Sequence, residues 1–188
     1  MTLGDSRTTQ GGWQDTLISN LNSATHEIPS WSYRINNTSL DTSVIVLSSN
    51  VASYLTTPDA SLAYPHFVLI DLGEHDMVGT PPGGVPSQTA FQNAYLSLVD
   101  AISAKWFSAK LLLDFPWTVA LDGSMYTTFK GYIQNVISAR SSTCAAGVDQ
   151  GVTLKGSDNG ATNTSDGTHM SAAGKVAYAA AMQTAMGF

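Results

Sequence analysis

The sequence has one cysteine, few basic residues and no long apolar run, and each shortage argues against a class of protein. Among its 188 residues, 8 are Lys or Arg and 14 are Asp or Glu, so the net charge is −6. The basic residues are scattered, which argues against a nucleic-acid or anionic-membrane partner. The single cysteine, Cys144, cannot form an internal disulfide, and we expect a buried small residue there rather than a thiol nucleophile. No apolar stretch reaches the roughly 18 residues of a membrane span, and we expect no signal peptide before the first motif.

The remaining composition is that of a globular protein. The chain is 43% hydrophobic and 12% charged, and residues 1–188 are enough for one domain with a substantial core. Ser, Thr, Asn, Gly and Ala are abundant while Lys and Glu are rare, a surface composition typical of extracellular or virion proteins. Only three residues precede Gly4, which predicts a very short first strand. A domain excised from a longer protein is one interpretation of this start.

Apolar periodicity predicts a chain in which strands and helices alternate. We predict strands at residues 2–4, 28–36, 66–72, 110–115 and 151–154. We predict helices at residues 11–22, 87–106, 124–139 and 171–186. A further helix is predicted to start at residues 41–43 and to stop at residues 58–59. The alternation implies an α/β fold, with a parallel sheet of about five strands and helices on both faces. The near-continuous apolar run at 66–72 is typical of such a buried strand.

Residues capable of chemistry follow the ends of the predicted strands. Ser6, His75 and the loop after Trp117 all lie at such points. Ligands of open parallel sheets bind outside the carboxyl ends of the strands. The sequence therefore places its candidate chemistry on one edge of the sheet.

Two short motifs near opposite ends of the chain suggest nucleophilic catalysis. Residues 4–6 read Gly-Asp-Ser, and residues 166–169 read Asp-Gly-Thr-His. A serine hydroxyl needs a base to take its proton and a carboxylate to orient that base. An aspartate three residues before a histidine can hold the imidazole Nδ1, so that Nε2 of His169 faces Ser6. Alternatively, Ser6 caps the first helix and Asp166 or Thr168 only begins the last one.

Other interpretations of the polar residues and motifs in this sequence have less support. Asp158 is a rival carboxylate for His169, but it lies further away in the sequence. The G-x-S-x-G elbow of ordinary α/β-hydrolases is absent, as are the glycine-rich phosphate and dinucleotide motifs. The four histidines, at positions 26, 66, 75 and 169, do not form a metal pattern, so we expect no metal and no cofactor.

At these residues the chain resembles the SGNH hydrolases, also called the GDSL esterase/lipase superfamily. Gly-Asp-Ser at 4–6 is similar to the family's first block, whose serine is the nucleophile, and Asp166 and His169 match its last D-x-x-H block. The resemblance implies a three-layer flavodoxin-like fold and a Ser6–His169–Asp166 triad.

The family's middle blocks, which supply an oxyanion hole, are altered here. The third block, G-x-N-D, corresponds to residues 73–76, where His75 replaces the asparagine. An imidazole N–H can donate in the same direction, although a structural role or a second acid/base role for His75 stays open. Aligning the second block with residues 41–42 puts Leu40 where the family has glycine, leaving a backbone N–H as donor. The resemblance thus implies an oxyanion hole made by Ser6, Leu40 and His75.

The resemblance implies a serine esterase acting on a small acyl ester, for example O-acetyl groups on a carbohydrate. We expect Trp117, just beyond the fourth predicted strand, to stack on a sugar ring, with core packing as the alternative. The altered middle blocks leave open a non-catalytic carbohydrate-recognition domain on the same fold. A thioesterase or lysophospholipase is a further alternative.

Overall fold

The computed structural model describes residues 1–23, 35–37, 43–56, 64–79 and 83–188, with residues 35–37 and Tyr54 described by their backbone alone. Its sheet contains the strands β1 (Thr2–Gly4), β2 (Ile35–Asn37), β3 (Phe67–Asp71), β4 (Lys110–Phe115) and β5 (Cys144–Asp149). The strand order is β2-β1-β3-β4-β5 and all pairings are parallel. This order is that of flavodoxin-like folds, whose ligands bind where the connections diverge, between β1 and β3.

Helices cover both faces of the sheet. In chain order they are α1 (Ser6–Gln10), α2 (Trp13–Ser23), α3 (Val44–Tyr54), α4 (Glu74–Val78), α5 (Gln88–Lys105), α6 (Ser124–Ala139), α7 (Gln150–Thr153) and α8 (Ala172–Met186). Alternate residues of a strand point to opposite faces. Accordingly, Val68 and Ile70 pack in the core with α3, α5 and α6, whereas Leu69 packs in the core with α2 and α8. These two cores confirm the predicted three-layer α/β fold.

Serine caps begin three of the helices where the sequence predicts starts. The hydroxyls of Ser43, Ser87 and Ser171 accept hydrogen bonds from backbone N–H groups in the first turns of α3, α5 and α8. Each cap satisfies a donor that the helix itself leaves without a partner. Among the described helices, none is both long and apolar enough to cross a membrane.

The predicted fifth strand is wrong. The strand lies at Cys144–Asp149, and the predicted strand residues fall mostly in the short helix α7. The sequence Cys-Ala-Ala-Gly-Val-Asp is poor in the β-branched and aromatic residues that mark strands, so its pairing with β4 decides its conformation. Cys144 is buried, as predicted, with a free thiol. The predicted strand at 28–36 falls largely outside the described residues, which include only its end in β2.

Candidate active site

The turn after β1 holds Ser6 at the start of α1, at the carboxyl edge of the sheet. A Cβ on Gly4 would lie 2.0 Å from Thr8 Oγ1, so only glycine allows α1 to turn back this closely on the strand. Asp5 caps the helix, and its Oδ1 accepts a hydrogen bond from the Arg7 N–H at 3.1 Å. Ser6 is only partly buried, so part of the residue is exposed to solvent.

The loop before α8 brings a histidine and an aspartate to this serine. His169 Nε2 lies 3.0 Å from Ser6 Oγ, and His169 Nδ1 lies 2.6 Å from Asp166 Oδ2. Both distances are within hydrogen-bonding range. The structure therefore brings together Ser6, His169 and Asp166, although the serine and histidine are 163 positions apart in sequence.

Asp166 is organised to stay ionised. Its Oδ1 accepts the backbone N–H groups of Thr168 at 2.9 Å and His169 at 2.7 Å. The bond from the His169 side chain and these backbone bonds lower the pKa of Asp166 to about 2. The rival carboxylate, Asp158, instead accepts the backbone N–H groups of Gly160 and Thr162 at 3.2 and 2.9 Å. Asp158 thus stabilises the turn in which it lies.

His75 lies beyond β3, in the first turn of the short helix α4. Its Nε2 is 3.5 Å from Glu74 Oε2, and both side chains are largely buried. The next residue, Asp76, accepts the backbone N–H groups of Val44 at 2.8 Å and Ile45 at 3.3 Å. Asp76 therefore ties the segment that carries His75 to the beginning of α3. Burial raises the pKa of Asp76 to about 6. Leu40, the other predicted oxyanion residue, lies outside the described residues.

The expectation that Trp117 stacks on a sugar is corrected by its burial. The side chain is 0% exposed, and its Nε1 donates to Asp122 Oδ1 at 3.0 Å. A Cβ on Gly160 would lie 2.9 Å from Trp117 Cη2, so the loop that precedes Asp166 and His169 packs closely on the indole. A stacking platform needs an exposed ring face, and here the ring belongs to the core.

One group of side chains in the described part of the chain could hold a metal ion. Asp5, Glu74 and His75 each offer a ligand atom, and these atoms lie within 4.8 Å of one another. Two carboxylates and an imidazole are a donor set that suits a divalent transition metal. Asp5 is distant from Glu74 and His75 in the sequence, which explains why the sequence shows no metal-binding motif. Of these three residues, only His75 has a role in the mechanism proposed below.

A buried polar network beneath Ser6 has no counterpart in the sequence analysis. Arg7 is 2% exposed, and its Nη1 donates to Gln150 Oε1. Gln150 Nε2 donates to Asp71 Oδ1 at 2.7 Å. Burial, reinforced by the nearby Asp5, raises the pKa of Asp71 to about 7. The signal that the sequence offers for this network is Asp71, an acidic residue near the end of an otherwise apolar run.

Comparisons with solved structures identify this fold. A protein described as a GDSL-like lipase from Parabacteroides merdae ATCC 43184 matches with a TM-score of 0.75 and 17% identity, over 99% of this chain and 94% of that one. Axe2, an acetylxylan esterase from Geobacillus stearothermophilus, matches with a TM-score of 0.75 and 18% identity, over 100% and 93%. LAE5, an alpha/beta hydrolase enzyme from the metagenome of Lake Arreo, Spain, matches with a TM-score of 0.73 and 16% identity, over 99% and 93%. No protein-family model and no curated protein matches the sequence.

These likenesses extend over nearly the whole of each chain. The flavodoxin-like three-layer fold implied by the resemblance to SGNH hydrolases is therefore confirmed. Identities of 16–18% establish the fold and leave the chemistry to be argued from the site itself.

Proposed function

We propose that this protein is a serine carboxylic-ester hydrolase with Ser6 as its nucleophile. The observation that carries the proposal is the hydrogen-bonded chain from Ser6 Oγ through His169 to Asp166, at 3.0 and 2.6 Å. A nucleophile, a base within reach of its proton and a carboxylate behind that base are the three groups that acyl transfer requires.

The proposed reaction has two halves. Ser6 Oγ attacks the ester carbonyl carbon while His169 Nε2 takes the hydroxyl proton. The tetrahedral intermediate then collapses, and the same proton passes to the leaving alcohol. A water molecule, losing a proton to His169, attacks the acyl-serine and releases the carboxylic acid with Ser6 restored. Asp166 holds the Nδ1 proton throughout and stabilises the imidazolium that forms twice.

The oxyanion of each intermediate needs donors on the side of Ser6 away from His169. We assign this role to the Ser6 N–H, the Leu40 N–H and the His75 side chain. The Ser6 N–H belongs to the first turn of α1, where the helix leaves N–H groups without an internal partner. His75 lies in the first turn after β3, the strand beside β1, which supports its place at the same edge.

The named variants of the Geobacillus esterase support the triad. Variants at a serine, an aspartate and a histidine of Axe2 are each described as catalytic mutants. The aspartate and the histidine are three positions apart in that chain, as Asp166 and His169 are here. The serine precedes both in each chain, so the order of the three residue types is the same.

For the substrate, we propose a small acyl ester, with O-acetyl groups on a carbohydrate as the first candidate. The structural likeness to an acetylxylan esterase supports this class. Hydrolysis of p-nitrophenyl esters from acetate to long acyl chains, together with release of acetate from acetylated xylooligosaccharides, measures the preference. A wide preference for long chains or thioesters would overturn the small-acyl assignment.

A fluorophosphonate probe tests whether the site is catalytic at all. We expect the probe to label the wild-type protein and to leave Ser6→Ala unlabelled. Ser138→Ala, at an exposed serine of α6, is the matched control and should be labelled like the wild type. A folded wild-type protein that resists the probe and hydrolyses no ester would overturn the proposal in favour of a recognition domain.

A further inference from the structure

The side chain of Gln150 lies at the centre of the buried polar network. Gln150 follows β5 as the first residue of α7, and it is 0% exposed. Its Oε1 accepts from Arg7 Nη1 and from the Trp117 backbone N–H, the latter at 3.2 Å. Its Nε2 donates to Asp71 Oδ1 at 2.7 Å. The partners determine the orientation of the amide, because a guanidinium and a backbone N–H can only donate. Both therefore require Oε1, which leaves Nε2 for the Asp71 carboxyl.

Each of the three partners belongs to a different segment of the candidate active site. Arg7 follows Ser6 directly in α1. Asp71 ends β3, three residues before α4 and its His75. Trp117 follows β4 and supports the loop that carries Asp166 and His169. One amide therefore joins the segments of the nucleophile, of the predicted oxyanion donor and of the base.

The connection from Trp117 to the histidine loop is made by several contacts. The Val119 N–H donates to the Gly167 carbonyl at 2.9 Å. The indole packs against Gly160, and Asp122 links Trp117 Nε1 to Lys155 Nζ through bonds of 3.0 and 2.5 Å. A movement of the Trp117 backbone is thus passed to both ends of the loop.

Losing the amide would leave buried groups without partners. In the described part of the chain, three other polar atoms of these two partners are buried without hydrogen bonds: Arg7 Nε and Nη2 and Asp71 Oδ2. The side chains of Arg7 and Asp71 therefore depend on their hydrogen bonds to Gln150. A buried charge that loses its partner is costly, and neighbouring structure shifts to admit water or a new partner. Such a shift moves the segments that Gln150 joins.

We propose that Gln150 is a positioning residue that holds the segments of Ser6, His75 and His169 in fixed positions relative to one another. This inference rests on the proposed function only for its kinetic consequence, because the geometry it describes exists whether or not the protein hydrolyses esters.

The first test compares two buried glutamines. Gln150→Met keeps the volume and removes the three hydrogen bonds. Gln14→Met is the matched control, because Gln14 is 1% exposed and its amide donates to the Thr8 carbonyl at 3.0 Å, within the adjacent helices. Misplacement of reacting groups by about 1 Å can cost about 10²-fold in rate. We expect Gln150→Met to lower kcat on p-nitrophenyl acetate by that factor with KM nearly unchanged, and Gln14→Met to lower Tm with kcat near wild type.

A spectroscopic readout separates positioning from catalysis. We expect the proton on His169 Nδ1, in its short bond to Asp166, to give a low-field resonance in proton NMR spectra. We expect Gln150→Met to shift or broaden this resonance and Gln14→Met to leave it unchanged. An inactive wild-type protein with this pattern would end the proposed function and support the positioning role. An active wild-type protein whose Gln150→Met variant keeps both kcat and the resonance would overturn the positioning role alone.

A second variant gives a signature in pH that simple destabilisation does not. In Gln150→Glu we expect the new carboxyl to keep its bond to Arg7 and to face the carboxyl of Asp71. Asp5 and Asp114 also lie near Asp71. A proton shared between the two carboxyls preserves the link at low pH, and its loss at high pH makes them repel. We expect the wild-type to variant ratio of kcat to increase from about pH 5 to about pH 8. A ratio independent of pH would contradict the role of the Gln150–Asp71 bond.

Discussion

Asp166 accepts three hydrogen bonds, two from backbone N–H groups and one from the imidazole of His169. These bonds favour the charged form of the carboxyl, which explains its lowered pKa. A neutral amide at this position cannot stabilise the imidazolium, and it can hold the wrong tautomer of the histidine.

We therefore predict that Asp166→Asn lowers kcat strongly. The corresponding change in serine proteases costs about 10⁴-fold, and we expect a loss approaching that size here. Asp158→Asn is the control, because Asp158 serves only its own turn and should keep nearly full activity. Steady-state kinetics on p-nitrophenyl acetate measures both variants. Comparable losses in the two would remove Asp166 from the triad.

His75 is one of the two residues at which this chain departs from the pattern it resembles. We predict that His75→Ala lowers kcat by about 10²–10³-fold, the usual cost of one oxyanion donor. His75→Asn, which restores the amide of the resembled block, should retain most of the activity. Equal kcat in the wild type and the alanine variant would show that His75 donates nothing to the oxyanion.

At the scale of elements, the loop from 155 to 169 is a scaffold for His169 and Asp166, the proposed base and its carboxylate. It contacts the segment after β4 through Trp117 and Val119, which a helix–strand assignment from sequence cannot anticipate. The geometry of the proposed triad thus depends on a contact between two loops that connect elements of the sheet.

We predict that Gly160→Ala damages this scaffold more than Gly156→Ala does. Both glycines have positive φ, at +85° and +56°, so alanine is strained at each by about 1–2 kcal/mol. Only at Gly160 would the new methyl lie 2.9 Å from the indole, whereas at Gly156 the nearest atom is 3.4 Å away. Thermal unfolding should give a lower Tm for Gly160→Ala, and kinetics a lower kcat. Equal Tm values would contradict the packing role of Trp117.

At the scale of the whole molecule, the buried carboxyls determine how stability depends on pH. Burial raises the pKa of Asp71 from 3.8 to about 7 and that of Asp76 to about 6, and it raises the pKa of Asp5 and Asp114 as well. Between about pH 4 and pH 7 these carboxyls keep protons in the folded protein that they lose in the unfolded chain, which makes stability decrease as the pH rises. The buried amino group of Met1, whose pKa burial lowers to about 5, opposes this trend as a single group above pH 5. The carboxyls whose pKa is lowered titrate below this range.

We predict a free energy of unfolding that falls from about pH 5 to about pH 7, by up to about 1.4 kcal/mol per pH unit for each such group. Asp71→Asn should flatten this dependence, because its neutral amide has no proton to lose. Asp15→Asn, at an exposed position of α2, is the control and should follow the wild-type curve. Urea unfolding at a series of pH values measures all three proteins. Parallel curves for wild type and Asp71→Asn would contradict the burial of an ionisable Asp71.

Local patterns in the sequence predicted much of the fold. Serines at 43, 87 and 171 marked helix starts, and the apolar run around Val68 marked a buried strand, because capping and periodicity act over a few residues. The misplaced β5 has too few strand-forming residues for a local signal, so only its pairing with β4 defines it.

The sequence by itself determined that strands and helices alternate, and this alternation implies a parallel sheet. It also supplied the serine, the histidine and the aspartate that we place at one edge of that sheet. Only the tertiary structure decided that Trp117 is a core residue, that Gln150 joins three segments and that Asp71 and Asp114 are buried acids. The physical reason is range. Caps and periodicity depend on neighbours along the chain, whereas burial and a shared hydrogen bond depend on residues that meet only when distant segments pack.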